Sequence, residues 1–463
     1  MPLGTARRQM TNAQFELPLE ASGAARGRER SGEARPAGHG SEHSGDAAPE
    51  DLMGAVVERS NLVRALRRVR QNQGSPGIDG MTVDELPSYL RAHWLGLREA
   101  LLAGTYQPQA VRRHQIPKVG GGVRQLGIPT VLDRFIQQAL LQVLQPRFDP
   151  TFSEFSYGFR PGRRAHDAVC QAQRYIQAGR RWVVDVDLAE FFDRVNHDVL
   201  LGKLAQRITD RRVLGLIRRY LEAGILANGV VVGRHEGTPQ GGPLSPLLAN
   251  VLLDEVDQEL ERRGHRFVRY ADDCNVYVQS RRAGERVMKA LVGLYAKLRL
   301  QVNAKKSAVA RVWERQFLGF SFWVAPGRAV KRRVAPKALH AMKERARQIT
   351  ARDRGRSIGQ VVAELRSYLV GWRAYFRLAD TPGVFADVEQ WLHRRLRALH
   401  LKHWKRGTTV YRELRARGVS EPVAGMAARF SRHRWRVAGH SALHLALPTV
   451  YFDRLGVPRL AAR

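Results

Sequence analysis

Two adjacent carboxylates, Asp272 and Asp273, follow Tyr270-Ala271 between two short apolar segments, and few folds accept such a pair at that point. The stretch from Phe267 to Val278 reads as two strands folded at Ala271-Asp272-Asp273. A tight turn between strands more ordinarily carries Asn-Gly or Asp-Gly. Adjacent acids repel each other, and no basic residue stands beside these two. A divalent cation is the physical remedy. Taken alone, the segment could equally be a solvated loop tip with two acids on it.

A second acidic segment narrows the choice. Trp182-Val183-Val184-Asp185-Val186-Asp187-Leu188 is a β-branched run that reads as a buried strand. A carboxylate there is costly unless it is paired or bound to metal. Alternation puts Asp185 and Asp187 on one face and Val184 and Val186 on the other. Carboxylates from two neighbouring strands could hold two magnesium ions, leaving positions for phosphate oxygens. Such a pair, about 3.5–4 Å apart, suits an in-line phosphoryl transfer, with the attacking 3′-hydroxyl activated and the leaving pyrophosphate stabilised.

The rest of the chain alternates helical and strand patterns. Residues 1 to about 50 are rich in Gly, Ala, Ser, Arg and Glu and read as disordered. A helix is expected from Leu52 to Val69. His114–Lys118 and Arg124–Pro129 flank Gly120-Gly121-Gly122 and read as a hairpin with a glycine tip. A helix follows from Asp133 to Leu144. Asn228-Gly229 between apolar residues signals a type I′ hairpin. The last third is helical, with one apolar stripe from Ile358 to Phe376 and another from Val388 to Leu399. Arg394, Arg395 and Arg397 are expected to face away from the second stripe. His393, His400 and His403, set among arginines, read as surface or phosphate-facing residues rather than a zinc site.

Charge points to the partner. The 463 residues hold 77 Lys and Arg against 43 Asp and Glu, a net +34. From Pro326 to Arg463 the counts are 30 and 9, so more than half of the excess lies in the last third. Such a surplus repels itself unless polyanions neutralise it, and nucleic acid is the usual one. Cys170 and Cys274 make neither a disulfide framework nor a zinc pair. No apolar run of roughly 18 residues suggests a membrane span, and no signal core opens the chain, so a cytoplasmic protein is expected.

A nucleotidyl transferase also needs cations on the triphosphate, and Lys118 and Arg124 on the proposed hairpin are candidates; two exposed loop charges are the other reading. The loop Gly237–Pro246 is rich in glycine and proline, so backbone can approach a ligand closely there. A plain turn between domains is the alternative.

Taken in order, seven segments resemble the reverse transcriptases encoded within bacterial group II introns. They are Ile128–Arg134, Tyr157–Arg163, Asp187–Asp193, Thr238-Pro239-Gln240-Gly241, Tyr270–Asp273, Leu300–Ser307 and Phe317–Phe320. Leu365–Phe376, Trp391–Arg397 and Ala446–Asp453 resemble the thumb, or maturase, domain of that family. The resemblance covers roughly residues 55 to 460.

It implies an α+β right-hand polymerase: fingers, an antiparallel-sheet palm and an α-helical thumb. The expected division is 1–50 as an N-terminal extension, 51–180 as N-terminal helices and fingers, and 181–325 as palm. Thumb/maturase follows over 326–406, and a basic nucleic-acid-binding segment over 407–463. The resemblance implies that Asp187, Asp272 and Asp273 are the catalytic acids and magnesium ligands, with Asp187 and Asp272 foremost. Asp185 matches no catalytic position. Phe192 resembles the bulky residue that excludes a ribose 2′-hydroxyl, and Gln240 a contact to the incoming nucleotide. Lys118 and Arg124 match the triphosphate pair. Lys306 resembles a lysine that assists pyrophosphate departure. The implied partners are a group II intron RNA, a DNA primer or target, and deoxynucleoside triphosphates. Many relatives carry a further nuclease with paired cysteines; with none here, no second-strand cutting is expected. Two other roles stay open: a maturase with an idle polymerase site, and a domesticated reverse transcriptase serving defence or adaptation.

Overall fold

A computed structural model describes residues 50–117, 123–227, 230–232, 236–238 and 241–461. The expected N-terminal extension and the hairpin tips at 118–122 and 228–229 lie outside the described residues. Ten strands occur among the described residues. They are β1 (Val111–Pro117), β2 (Val123–Ile128), β3 (Trp182–Val186), β4 (Ile225–Ala227) and β5 (Val230–Val232), then β6 (Arg266–Tyr270), β7 (Asp273–Val278), β8 (Ala308–Arg311), β9 (Phe320–Val324) and β10 (Val330–Val334).

The central sheet runs β6-β7-β3-β8 and is antiparallel throughout. Its register sets Asp185 opposite Asn275 and Val186 opposite Cys274. Both of its faces are covered. Val184, Val186 and Val276 join one core with the N-terminal helices, while Val183, Val268 and Tyr277 join a second core with the C-terminal helices. That is why β3 is a near-continuous valine run rather than a simple alternation.

A second sheet runs β2-β1-β4-β5. β1 and β2 pair antiparallel from Arg112↔Ile128 to Pro117↔Val123, as the hairpin reading expects. β4 and β5 pair on either side of 228–229. The helix expected at Asp133–Leu144 spans Val131–Phe148, starting at the Thr130 side chain, which accepts from the Asp133 amide. The expected helix over Leu52–Val69 is two, Leu52–Val56 and Arg59–Asn72.

The C-terminal region is helical: Pro336–Ile349, Ile358–Phe376 and Pro382–Trp404, then shorter helices to Leu455. One core runs through all of it, joining Leu392 and Leu396 to Val410, Leu443 and Phe452. Of the three arginines expected to face outward, Arg397 turns inward instead, while Arg394 and Arg395 stay partly exposed. Arg397 is buried, and its guanidinium donates to the Leu447 carbonyl at 3.1 and 2.9 Å above the Phe452 ring. Arg395 donates to Thr350 Oγ1 and Arg394 to the Trp435 carbonyl. His393 and His400 are also buried, against the surface reading: the first stacks on Phe452 and the second meets the Tyr451 hydroxyl at 3.2 Å. His393, Arg397 and His400 are held inside by short C-terminal helices that pack over the stripe. No described helix is long and apolar enough to cross a membrane.

Candidate active site

The carboxylates gather at one end of the central sheet. Tyr270 and Asp273 pair across the β6–β7 turn, and Ala271 takes a left-handed φ of 58°. Asp187 stands just past the end of β3. Its backbone is clamped by the segment that follows Leu300: the Asn303 amide donates to the Asp187 carbonyl at 2.8 Å, and the Asp187 amide donates to Ser307 Oγ at 3.0 Å. Leu188 bridges Val302 beside this clamp. The Leu300–Ser307 motif is thus the support on which Asp187 is mounted.

Asp185, Asp187 and Asp273 line one open cleft of about 760 Å³, together with Lys305, Lys306 and Arg315. Lys306 Nζ lies 3.5 Å from Asp187 Oδ1 and is largely exposed. Asp273 keeps an open face to this cleft, yet its walls remove bulk water, and Asp272, Asp185 and Asp187 add negative charge; its carboxyl is pushed up to about 7. Asp272 sits half-buried in the turn itself and does not line the cleft.

Asp185 has a different fate from its neighbour. Arg315 Nε donates to Asp185 Oδ2 at 2.7 Å, and the Asn275 amide, oriented to donate, reaches Oδ1 at 2.9 Å. Burial raises the Asp185 carboxyl, while Arg315 works against that rise. Arg315 also donates to the Lys306 carbonyl at 2.5 Å. Asp185 is therefore committed to holding the cleft wall together.

Among the described residues, no three His, Cys, Asp or Glu side chains converge tightly enough to grip a metal as they stand. The donor set nonetheless fits a hard divalent cation. It is all carboxylate oxygen, open on one side, and crowded with like charge that a cation would relieve.

The remaining predicted residues are placed unevenly. Phe192, in the short turn Phe191–Asp193, is buried edge-on to Phe191 with ring centroids 5.0 Å apart. Its carbonyl accepts from the Thr238 amide at 2.7 Å, so the loop entering Thr238 is docked against it. Phe192 lines a second cleft of about 670 Å³ with Phe159, Arg134 and Gly241. Lys118 and Gln240 lie outside the described residues. Arg124 is described only in its backbone, paired to Ile116 across the hairpin.

Several motif residues prove to be scaffolding. Buried Asp133 accepts from Tyr106, Thr130 and the Gln109 amide. Arg160 donates to Asp149 and to the carbonyls of Ser153 and Ser156. Arg269, inside the apolar strand β6, is fully buried against Asp257. A cation amid Phe267, Val268 and Tyr270 was itself a signal that a buried partner had to exist.

A third cleft, of about 840 Å³, lies at the far end of helix Pro336–Ile349. It is lined by cations, among them Arg352, Lys402, Arg432, Arg434 and Arg436, with Trp435 between them. Burial lowers the Arg395 guanidinium, and nearby Arg347 and Arg352 lower it further. Like charges crowded in this way favour a polyanion.

Comparison with known proteins agrees with this layout. Residues 116–322 match the reverse transcriptase (RNA-dependent DNA polymerase) family, and residues 339–418 match the group II intron maturase-specific domain. "Protein YkfC" of Escherichia coli (strain K12) is 37% identical over 218 residues, 46% of this chain and 57% of that protein. "Group II intron-encoded protein LtrA" of Lactococcus lactis subsp. cremoris is 37% identical over 195 residues, 42% of this chain and 32% of that protein. "Putative COX1/OXI3 intron 2 protein" of Saccharomyces cerevisiae is 31% identical over 206 residues, 44% of this chain and 24% of that protein. The chain therefore spans less than two thirds of each of these relatives. A match to a reverse transcriptase domain over 116–322 is thus followed along the chain by a match to a group II intron maturase-specific domain over 339–418.

Proposed function

We propose that the chain is an RNA-directed DNA polymerase that also binds a group II intron RNA as a maturase, assisting its splicing and mobility. The observation that carries the polymerase reading is the meeting of Asp187 and Asp273, from neighbouring strands, in one open cleft with Lys306. Asp187, Asp272 and Asp273 would hold two magnesium ions. Bound magnesium would supply Lewis acidity at a primer 3′-hydroxyl and charge for the departing pyrophosphate.

The chain's own residues do the rest. Lys306, exposed at the rim and close to Asp187, is positioned to give a proton to pyrophosphate. Phe192, wedged by Phe191 and by the docked loop at Thr238, presents rigid bulk against a ribose 2′-hydroxyl. Gln240 would touch the incoming nucleotide, and Lys118 and Arg124 its triphosphate; these three roles rest on the sequence resemblance. The fingers would fall in 51–180, the palm in 181–325 and the thumb/maturase in 326–406, with 407–463 adding nucleic-acid contacts. The maturase role is supported by the match over 339–418 and by the basic cleft beyond helix Pro336–Ile349. Its partners would be intron RNA, a DNA primer or target, and deoxynucleoside triphosphates.

Extension of a DNA primer on an RNA template with magnesium and deoxynucleotides tests the reading. Wild type should make cDNA, and Asp272→Ala should not. A wild type that binds intron RNA tightly but extends nothing would sink the polymerase half and leave a dedicated maturase.

A further inference from the structure

Helix Ser245–Arg262 presents Asn250 and Asp257, about two turns apart, to the underside of the β6–β7 turn. The Asp257 and Arg269 side chains are both 0% exposed. Arg269 Nε donates to both Asp257 oxygens at 2.8 and 2.9 Å, and Nη2 donates to Oδ2 at 2.5 Å. The remaining nitrogen, Nη1, donates to Asn250 Oδ1 and to the Ala271 carbonyl, both at 2.9 Å. Asn250 Nδ2 in turn donates to the Gly158 carbonyl at 2.9 Å. Gly158 lies so close to the turn that a Cβ there would overlap the Ala271 amide nitrogen. Its neighbour Phe159 has a φ of 60° and faces the cleft that Phe192 lines.

A buried ion pair is a weak source of stability, because well-packed apolar side chains fill the same space as favourably. Apolar side chains cannot, however, hold a carbonyl. Ala271 occupies a backbone region that side chains other than glycine rarely adopt, and its carbonyl is what Arg269 grips. We propose that Arg269, oriented by Asp257 and Asn250, is a positioning residue: it fixes the Ala271 peptide and with it the direction of the Asp272 and Asp273 carboxylates. Through Asn250 and Gly158 the same network sets Phe159 at the second cleft, so the acid turn and the nucleotide-facing wall share one buried anchor. This inference rests on the reading of the palm carboxylates as the magnesium-binding polymerase site.

The test uses the full chain with Asn250→Ala, Arg269→Lys and Gly158→Ala. Arg269→Lys keeps the charge and loses the fork; Gly158→Ala disturbs the turn from the opposite side. Folding is followed by circular dichroism. Mn2+ affinity is read by electron paramagnetic resonance without nucleotide, with Asp272→Ala assigning the signal to the turn. Primer extension then gives kcat, the KM for deoxynucleotide and the Mg2+ requirement.

Folded variants should bind Mn2+ about tenfold more weakly and need correspondingly more Mg2+. Their kcat should fall by up to about 10²-fold, the scale expected for a misplacement near 1 Å. Folded variants with wild-type Mn2+ affinity, Mg2+ profile and kcat would overturn the proposal. So would loss of the fold in all three, which would make the network a stability element. A wild type that binds Mn2+ at the turn yet extends no primer overturns the polymerase reading alone, and the Mn2+ comparison still decides the network. A wild type that binds no Mn2+ at the turn overturns the proposal, and primer extension decides the polymerase reading separately.

Discussion

Asp185 and Asp187 lie two positions apart, and their different surroundings predict different phenotypes. Asp185 is tied to Arg315 and Asn275, whereas Asp187 meets Lys306 at the open rim. Asp187→Asn should cut single-turnover primer extension by at least about 10²-fold, because a lost ligand removes several kcal/mol of charge stabilisation. Asp185→Asn should instead lower unfolding stability by about 1–3 kcal/mol, the scale of a charged hydrogen bond, with a smaller effect on extension. Equal losses of activity in the two variants would contradict this assignment. Phe192→Val should open room for a 2′-hydroxyl and raise ribonucleotide incorporation relative to deoxynucleotide by about tenfold or more, measured as a ratio of kcat/KM values. The pairing of Asp185 with Arg315 was not readable beforehand. Their 130-residue separation is closed only by the chain path between β3 and the turn after β8.

The segment 301–307 and helix Pro382–Trp404 show how elements carry the site and its support. Ser307→Ala removes the acceptor for the Asp187 amide and should slow extension by about tenfold while the chain stays folded, since one buried hydrogen bond is worth about 1–1.5 kcal/mol. Unchanged extension would mean that the Asn303 contact alone seats Asp187. In the helix, burial lowers His400 to about 4, with Arg417 and His403 adding to the shift. The folded chain therefore keeps this imidazole neutral. Its contribution is full above the ordinary value near 6.5 and is lost as pH falls toward 4, at up to about 1.4 kcal/mol per pH unit. Urea midpoints at pH 7 and pH 5 should differ more for wild type than for His400→Gln; equal differences would remove His400 as a cause. The apolar stripes of these helices were plain in the sequence, because packing against a core imposes a 3.6-residue period. The burial of Arg397 and His400 was not, because it depends on the helix Thr449–Leu455 folding back over the stripe.

For the molecule as a whole, the surplus of positive charge has a place as well as a size. The cleft with Arg432, Arg434 and Arg436 lies at the opposite end of helix Pro336–Ile349 from Pro336 and Lys337, which border the carboxylate cleft. At 1.5 Å per residue, that separation is about 20 Å. If RNA phosphates occupy the basic cleft, Arg432→Gln combined with Arg434→Gln should flatten the plot of log affinity against log salt by about 1–2 units, while short-template extension changes little. An unchanged slope would move the RNA elsewhere on the surface. Legible along the chain alone were the class of architecture, the strands that bear the acids, the helical tail and the surplus of positive charge. Each of these follows from local periodicity, from charge balance or from motifs read along the chain. The packed fold was needed to show which acids share a cleft, that Asp185 in its wall is tied up by Arg315 and Asn275, and that Arg160, Arg269 and Asp133 are buried anchors. Such facts depend on which distant residues desolvate one another, and that is settled only when separate elements pack together, as β6 and helix Ser245–Arg262 do around Arg269.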